Sequence, residues 1–162
     1  MDQNKSNLTE KYWSTFVTAT GIEGHDYAVV TFGNTKALAE TLLALVLSGK
    51  KRATASLLTD YSGQDVPLPK VGDYVVVLDG SSAPNCIWRT TDVTVKPFNE
   101  VDEIFAWAEG EGDRSLDFWL STHRAYFTLQ CHAEGFEMHD HMETVFEKFE
   151  IVWPLEVEDP IP

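Results

Sequence analysis

The reading of this chain turns on the stretch Gly49-Lys50-Lys51-Arg52-Ala53-Thr54-Ala55-Ser56. Three of the twelve Lys and Arg residues stand there consecutively, in a chain with 26 Asp and Glu and a formal net charge of −14. The residues before it read as a helix through Ala37, Leu38, Leu42, Leu45 and Val46, capped by Asn34 and stopped by Gly49. The residues after it, up to Leu58, include Thr, Ala and Ser rather than long helix formers. The basic run therefore falls where a helix ends and an extended segment begins, a common setting for a site. Positive charge at that point also complements the helix dipole, so a solvated helix end is the plain alternative.

A second segment, Ala108-Glu109-Gly110-Glu111-Gly112-Asp113, alternates two carboxylates with two glycines just before a helix. The glycines permit positive φ and close backbone approach. The following helix dipole favours an ionised Glu111. The plain alternative is an acidic turn between two helices.

Outward from these segments the chain reads as one domain of mixed structure. Its 162 residues suit a single domain, and 43% hydrophobic and 12% aromatic residues are globular composition. Leu8, Tyr12, Trp13, Phe16 and Val17 form a helical stripe over 8–20, ended by Gly21 and Gly24. Residues 27–32 are a short strand or a loop crossing the core. A turn is expected at Ser62-Gly63, and Pro67 and Pro69 keep the next stretch extended. Residues 74–78 read as a strand, 80–85 as a hairpin turn, and 86–98 as one long strand or a bent pair. Asn99 is expected to start a short helix, and Asp113 to cap a longer one containing Leu116, Trp119, Leu120, His123, Tyr126 and Phe127. Residues 143–153 read as a strand, and 154–162 as a flexible acidic tail.

Charge and cysteine usage narrow the function. Coating duplex DNA relies on neutralising phosphates, which a net charge of −14 opposes, so duplex DNA is an unexpected partner and a small ligand an easier one. Cys86 and Cys131 form no Cys-x-x-Cys pair. The polar start and the lack of 18 consecutive apolar residues point away from secretion and membrane insertion, so the expected location is cytoplasmic. Cys131-His132 and His139-Asp140-His141 match no familiar zinc spacing and read as a solvated loop. Glu109 with Glu111 could hold magnesium, but no metal or cofactor is expected.

The chain resembles the ASCH domain family of the PUA-like superfamily. The resemblance rests on Phe32-Gly33, the stretch 49–56, Leu68-Pro-Lys-Val-Gly-Asp73, Pro97-Phe98, Phe105-Ala106, the acidic turn 109–113, Ser115-Leu116, Trp119, His123 and Phe127. It covers roughly residues 27–153, with residues 1–26 as an N-terminal helical segment that suits a subgroup of bacterial members. It implies an α+β, mainly β fold: a PUA-like, partly closed β-barrel with helices packed on it and a cleft at one end. Leu120 stands where many members carry Arg.

The resemblance also implies functions. Members are proposed to bind RNA, and some similar proteins are reported as ribonucleases. A smaller relative is an amidohydrolase that deacetylates acetylated cytidine. Its trio of a Lys, a Thr three residues later and a Glu in an acidic turn falls here on Lys51, Thr54 and Glu111, with Glu109 the alternative carboxylate. The expected function is hydrolysis of a modified nucleoside or small nucleobase compound. The alternatives are an RNA-binding module, possibly a ribonuclease, or a ligand sensor without turnover.

On that reading Thr54 needs a neighbouring base. Lys51 serves only if burial lowers its pKa, whereas Glu111 beside it would raise it and leave an oxyanion-holding ammonium. Glu111 would give a proton to the leaving amine or orient the lysine. Lys50, Arg52, Tyr61, Glu109 and His123 are candidate substrate-binding residues, with Tyr61 placed to stack a pyrimidine. His123 and Trp119 are alternatively satisfied core residues. Lys-x-x-Thr spacing places both side chains on one face only if residues 51–54 are turn-like or helical.

Overall fold

Tyr74, Val75, Val76, Val77 and Leu78 are all buried, although successive side chains on a strand point to opposite faces. Such a strand must be covered on both sides, and the architecture follows from that demand. A computed structural model describes residues 5–62 and 66–157. Among these residues are helices α1 (Asn7–Thr20), α2 (Lys36–Leu47), α3 (Glu103–Glu109) and α4 (Leu116–Glu134). The strands are β1 (Tyr27–Thr31), β2 (Ala53–Leu57), β3 (Tyr74–Leu78), β4 (Pro84–Pro97) and β5 (Glu143–Trp153).

The strands form one sheet in the order β1-β3-β4-β5-β2. β1 runs parallel to β3, and the other pairs are antiparallel. The long β4–β5 pair has register shifts at Ile87/Trp88 and Thr90/Asp92. Bulges of this kind increase local twist, and the sheet curls into a half-barrel with β1 and β2 as its open edges. This is the expected α+β, PUA-like architecture.

Each sheet face has its own cover. Inside the curl, Leu42, Leu43 and Val46 of α2 pack on Phe32, Val75, Val77, Cys86, Trp88, Phe149 and Ile151. Outside it, Trp13 and Phe16 of α1 pack on Tyr27, Tyr74, Val76 and Ile87. Trp119, Phe127 and Cys131 of α4 pack with Phe105, Ala53, Leu57 and Phe146 on the β2–β5 side. Trp119 and Phe127 are thus core residues.

Residues 27–32 supply strand β1 with Phe32 just beyond it, and 86–97 belong to one strand. Three helix starts differ from expectation. α2 is capped by Thr35 rather than Asn34, its hydroxyl accepting from the Leu38 amide. Asn99 lies in a 3-10 turn, and Asp102 caps α3. Ser115 caps α4, because Asp113 accepts from the Ser115 amide in the preceding turn. In each case the side chain that reaches the helix's free amides stands one to three residues beyond the expected cap. Residues 51–54 are not uniformly turn-like: β2 begins at Ala53, so Thr54 is a strand residue while Lys51 precedes the strand. Strand alternation consequently does not extend back to Lys51. The turn expected at Ser62-Gly63 lies partly outside the described residues. Leu155–Val157 form a 3-10 turn with Val157 against the inner core, and the rest of the tail lies outside the described residues.

Candidate active site

Two backbone contacts and one arginine side chain bring the two chemical segments together. The Arg52 amide donates to the Ala108 carbonyl at 2.7 Å. Gly110, at φ +74°, lies against the Lys50–Lys51 peptide so closely that a Cβ would stand 2.2 Å from the Lys50 carbonyl oxygen. Arg114 donates to that same carbonyl at 3.0 Å and to the Trp107 carbonyl at 2.9 Å, its guanidinium resting on the Trp107 ring. α3 ends at Gly110 in the left-handed conformation, which aims the acidic turn back at β2.

The latch has a direct consequence for side chains. Lys51 is 1% exposed, and its Nζ donates to Glu109 Oε2 at 3.1 Å and Glu111 Oε1 at 3.0 Å. The ammonium also stands 5.4 Å from the centre of the Phe32 ring. His123 completes the cluster. Its Nε2 lies 3.3 Å from Glu109 Oε2, its Nδ1 3.0 Å from the Trp119 carbonyl, and its ring stacks on Trp119 at 4.0 Å. Both ring nitrogens therefore face oxygen acceptors, the pattern of an imidazolium.

The charges follow from this geometry. Burial disfavours the Lys51 ammonium, but Glu109 and Glu111 outweigh it and hold the lysine above its ordinary pKa. Burial opposes the His123 cation as well, and Glu109 again raises the group. Burial pushes Glu109 up, yet Lys51 and His123 prevail and hold it well below the usual carboxylate range. Glu111 moves the other way: burial and the neighbouring Glu109 raise it against the pull of Lys51. The cluster is thus two cations around an ionised Glu109, with Glu111 the member that takes up a proton first. Taking such a cluster out of water costs several kcal/mol per ion, so packing alone does not explain it.

Other candidates fall apart from this centre. Arg52 is half-buried and donates to the Val46 and Lys51 carbonyls, so it braces the loop. Lys50 is exposed. Thr54 is half-buried on β2, and no hydrogen bond among the described residues joins it to Lys51, Glu109 or Glu111. The Tyr61 hydroxyl pairs with Ser56 at 2.8 Å. Cys131 is buried in α4, His132, His139 and His141 are exposed, and Asp140 pairs with Arg124.

Among the described residues, the one group of three side chains spaced to ligate a metal is Glu109, Glu111 and His123, with ligand atoms within 4.8 Å of one another. The Lys51 ammonium already supplies the positive charge between the two carboxylates, so a cation would have to displace it.

Sequence reasoning did not single out Glu147 or Thr90. The strand pattern contained a signal: Glu147 stands among the alternating apolar positions Val145, Phe149 and Ile151 of β5. Glu147 is 7% exposed and accepts from the Thr90 hydroxyl at 2.6 Å.

A family model described as "ASCH domain" matches residues 28–153. The chain is similar in structure to an ASCH domain from Lactobacillus crispatus JV V101, at 31% identity and a TM-score of 0.85, covering 92% of this chain and 96% of that one. It is likewise similar to protein EF3133 from Enterococcus faecalis V583, at 35% identity and a TM-score of 0.82, covering 94% of this chain and 90% of that one. No curated protein matches the chain. Among the described residues, no helix is long and apolar enough to cross a membrane.

Proposed function

The chain belongs to the ASCH domain family, and from that premise we propose that it hydrolyses the amide of an N-acylated nucleoside or similarly small nucleobase compound. The observation that carries this reading is the buried Lys51 ammonium held 3.1 Å from Glu109 and 3.0 Å from Glu111. Such a charged cluster costs folding energy that its packing contacts alone do not explain.

In this mechanism Thr54 Oγ1 attacks the acyl carbon, and its proton passes to Glu111 directly or through one water. The Lys51 ammonium stabilises the developing oxyanion. The C–N bond breaks and Glu111 returns the proton to the departing amine. Water then hydrolyses the Thr54 ester, releasing the acid. Lys51 serves as a fixed cation rather than a base because two carboxylates keep it protonated. Glu111 suits proton transfer because its pKa is raised toward neutrality. Glu109 and His123 act through Lys51 by holding the charges in place.

RNA binding is the second reading, supported by the family's PUA-like fold. The basic run does not favour it. Lys51 turns inward and Arg52 braces backbone carbonyls, which leaves Lys50 as the exposed member for phosphate. Incubation of the purified protein with N4-acetylcytidine tests the first reading: release of cytidine and acetate supports it, and equal rates in wild type and Thr54→Ala remove Thr54 from the mechanism.

A further inference from the structure

A second polar group lies on the inner face of the half-barrel and takes no part in the cluster around Lys51. Along β5, Ile151 and Phe149 face inward beneath α2, and Glu147 is the next residue on that face. In the unbroken β2–β5 ladder Glu147 is the register partner of Thr54. Paired residues on an antiparallel ladder share a face, with Cβ atoms about 4.5–5.5 Å apart. The Thr90 hydroxyl fixes one carboxyl oxygen of Glu147 at 2.6 Å.

Trp88 lies beside it. The indole ring is 2% exposed and stacks on Phe149, while its N–H is sealed from solvent with no hydrogen-bond partner. That N–H is close enough to Glu147 to favour the ionised carboxyl. The stronger influences run the other way: burial raises the Glu147 pKa, and Asp73 adds to the rise. The ionisable groups near it are Asp73 and Tyr61, and Tyr61 is itself raised by burial and by Glu147.

We propose that Glu147, with the Trp88 N–H, is the specificity-determining element of the cleft and reads the hydrogen-bonding edge of an aminopyrimidine. The inference rests on the amide-hydrolysis reading and names the substrate edge that this reading leaves open. A protonated carboxyl offers one acceptor and one donor side by side, and the indole offers a second donor. The edge of a 4-aminopyrimidine presents the complement: an exocyclic N–H, a ring-nitrogen acceptor and a carbonyl oxygen. A uracil edge, with a carbonyl in place of the amino group and an N–H in place of the ring acceptor, does not match.

The position fits the chemistry as well. The acyl group hangs from the exocyclic nitrogen that Glu147 would hold, and Thr54 is its neighbour across the ladder. A ligand carbonyl would give the indole N–H the acceptor it lacks.

Calorimetric titration of the full chain with cytidine, uridine and 3-methylcytidine tests the proposal. Wild type should bind cytidine at least tenfold more tightly than uridine and reject 3-methylcytidine, whose ring nitrogen is blocked. Glu147→Leu, which removes both the acceptor and the donor, should abolish the cytidine preference, whereas Glu147→Gln, whose amide keeps an acceptor beside a donor, should retain it. Wild type that binds cytidine and 3-methylcytidine equally, or shows no preference, overturns the proposal without any variant. An unchanged preference in folded Glu147→Leu overturns it too. Hydrolysis of N4-acetylcytidine is followed in parallel. Turnover with a preference indifferent to Glu147 sinks this inference alone. A Glu147-dependent preference without turnover supports it and sinks the hydrolase.

Discussion

Gly110 touches the Lys50 carbonyl with no room for a side chain: a Cβ would stand 2.2 Å from the oxygen, and the backbone is at φ +74°. This contact seats the acidic turn on the loop that carries Lys51. Gly21 makes an internal control, since it has φ +71° and nothing within 4 Å of the added carbon. Gly110→Ala should therefore cost at least about 2 kcal/mol, roughly 4–8 °C in Tm, and depress hydrolysis. Gly21→Ala pays only the backbone strain, about 1 kcal/mol, and should leave activity unchanged. Equal melting shifts for the two variants would show that the latch is loose.

His123 makes stability depend on pH above neutrality. Its folded pKa is raised, so the stabilisation is fully present below the unfolded value near 6.5 and is lost as pH rises through the folded value. Glu109 is depressed, so its contribution is present above about pH 4.5 and lost only in strong acid. Wild type should accordingly lose Tm between pH 6 and pH 9, and His123→Gln should flatten that slope while lowering Tm at pH 6. Parallel slopes in the two proteins would take His123 out of the charge cluster.

Removing the ammonium should expose two mutually repelling carboxylates in a buried site. Lys51→Met is expected to lose about 3–5 kcal/mol at pH 7.5 by chemical denaturation. Part of that loss should return at pH 5, because Glu111, already raised by burial and Glu109, would take up a proton more readily without Lys51. A penalty independent of pH would mean that Lys51 contributes by packing rather than charge.

What the sequence discloses here depends on range. Local pattern marks α1, β3 and β5 closely, because apolar spacing and flanking turn residues act within a few positions. The pairing of Lys51 with Glu109 and Glu111 spans 58 and 60 positions, and only the family resemblance suggested it. The caps at Thr35, Asp102 and Ser115 lie one to three residues beyond the expected ones, because several capping residue types stand near each helix start and the sequence does not say which meets the free amides. Glu147 was passed over because a lone acid in an apolar alternation gives no sign of its cross-strand neighbours.

The pH profile of hydrolysis separates the two roles open to Lys51. A lysine acting as base would give a rate that climbs as the ammonium ionises, yet Glu109 and Glu111 raise its pKa. With Glu111 as the proton acceptor, kcat/KM should instead fall in acid through a pKa above that of an ordinary glutamate. Glu111→Gln should remove that acidic limb and reduce kcat by about 10²–10⁴-fold. Glu109→Gln should leave the limb in place but shift it, because Glu109 influences the site only through its neighbours. Thr54→Ser keeps a hydroxyl and should retain the limb at a reduced rate, whereas Thr54→Ala should have no rate to profile. Should the acidic limb survive Glu111→Gln unchanged, proton transfer belongs to another group, and Lys51 together with Glu147 would be the residues to titrate next.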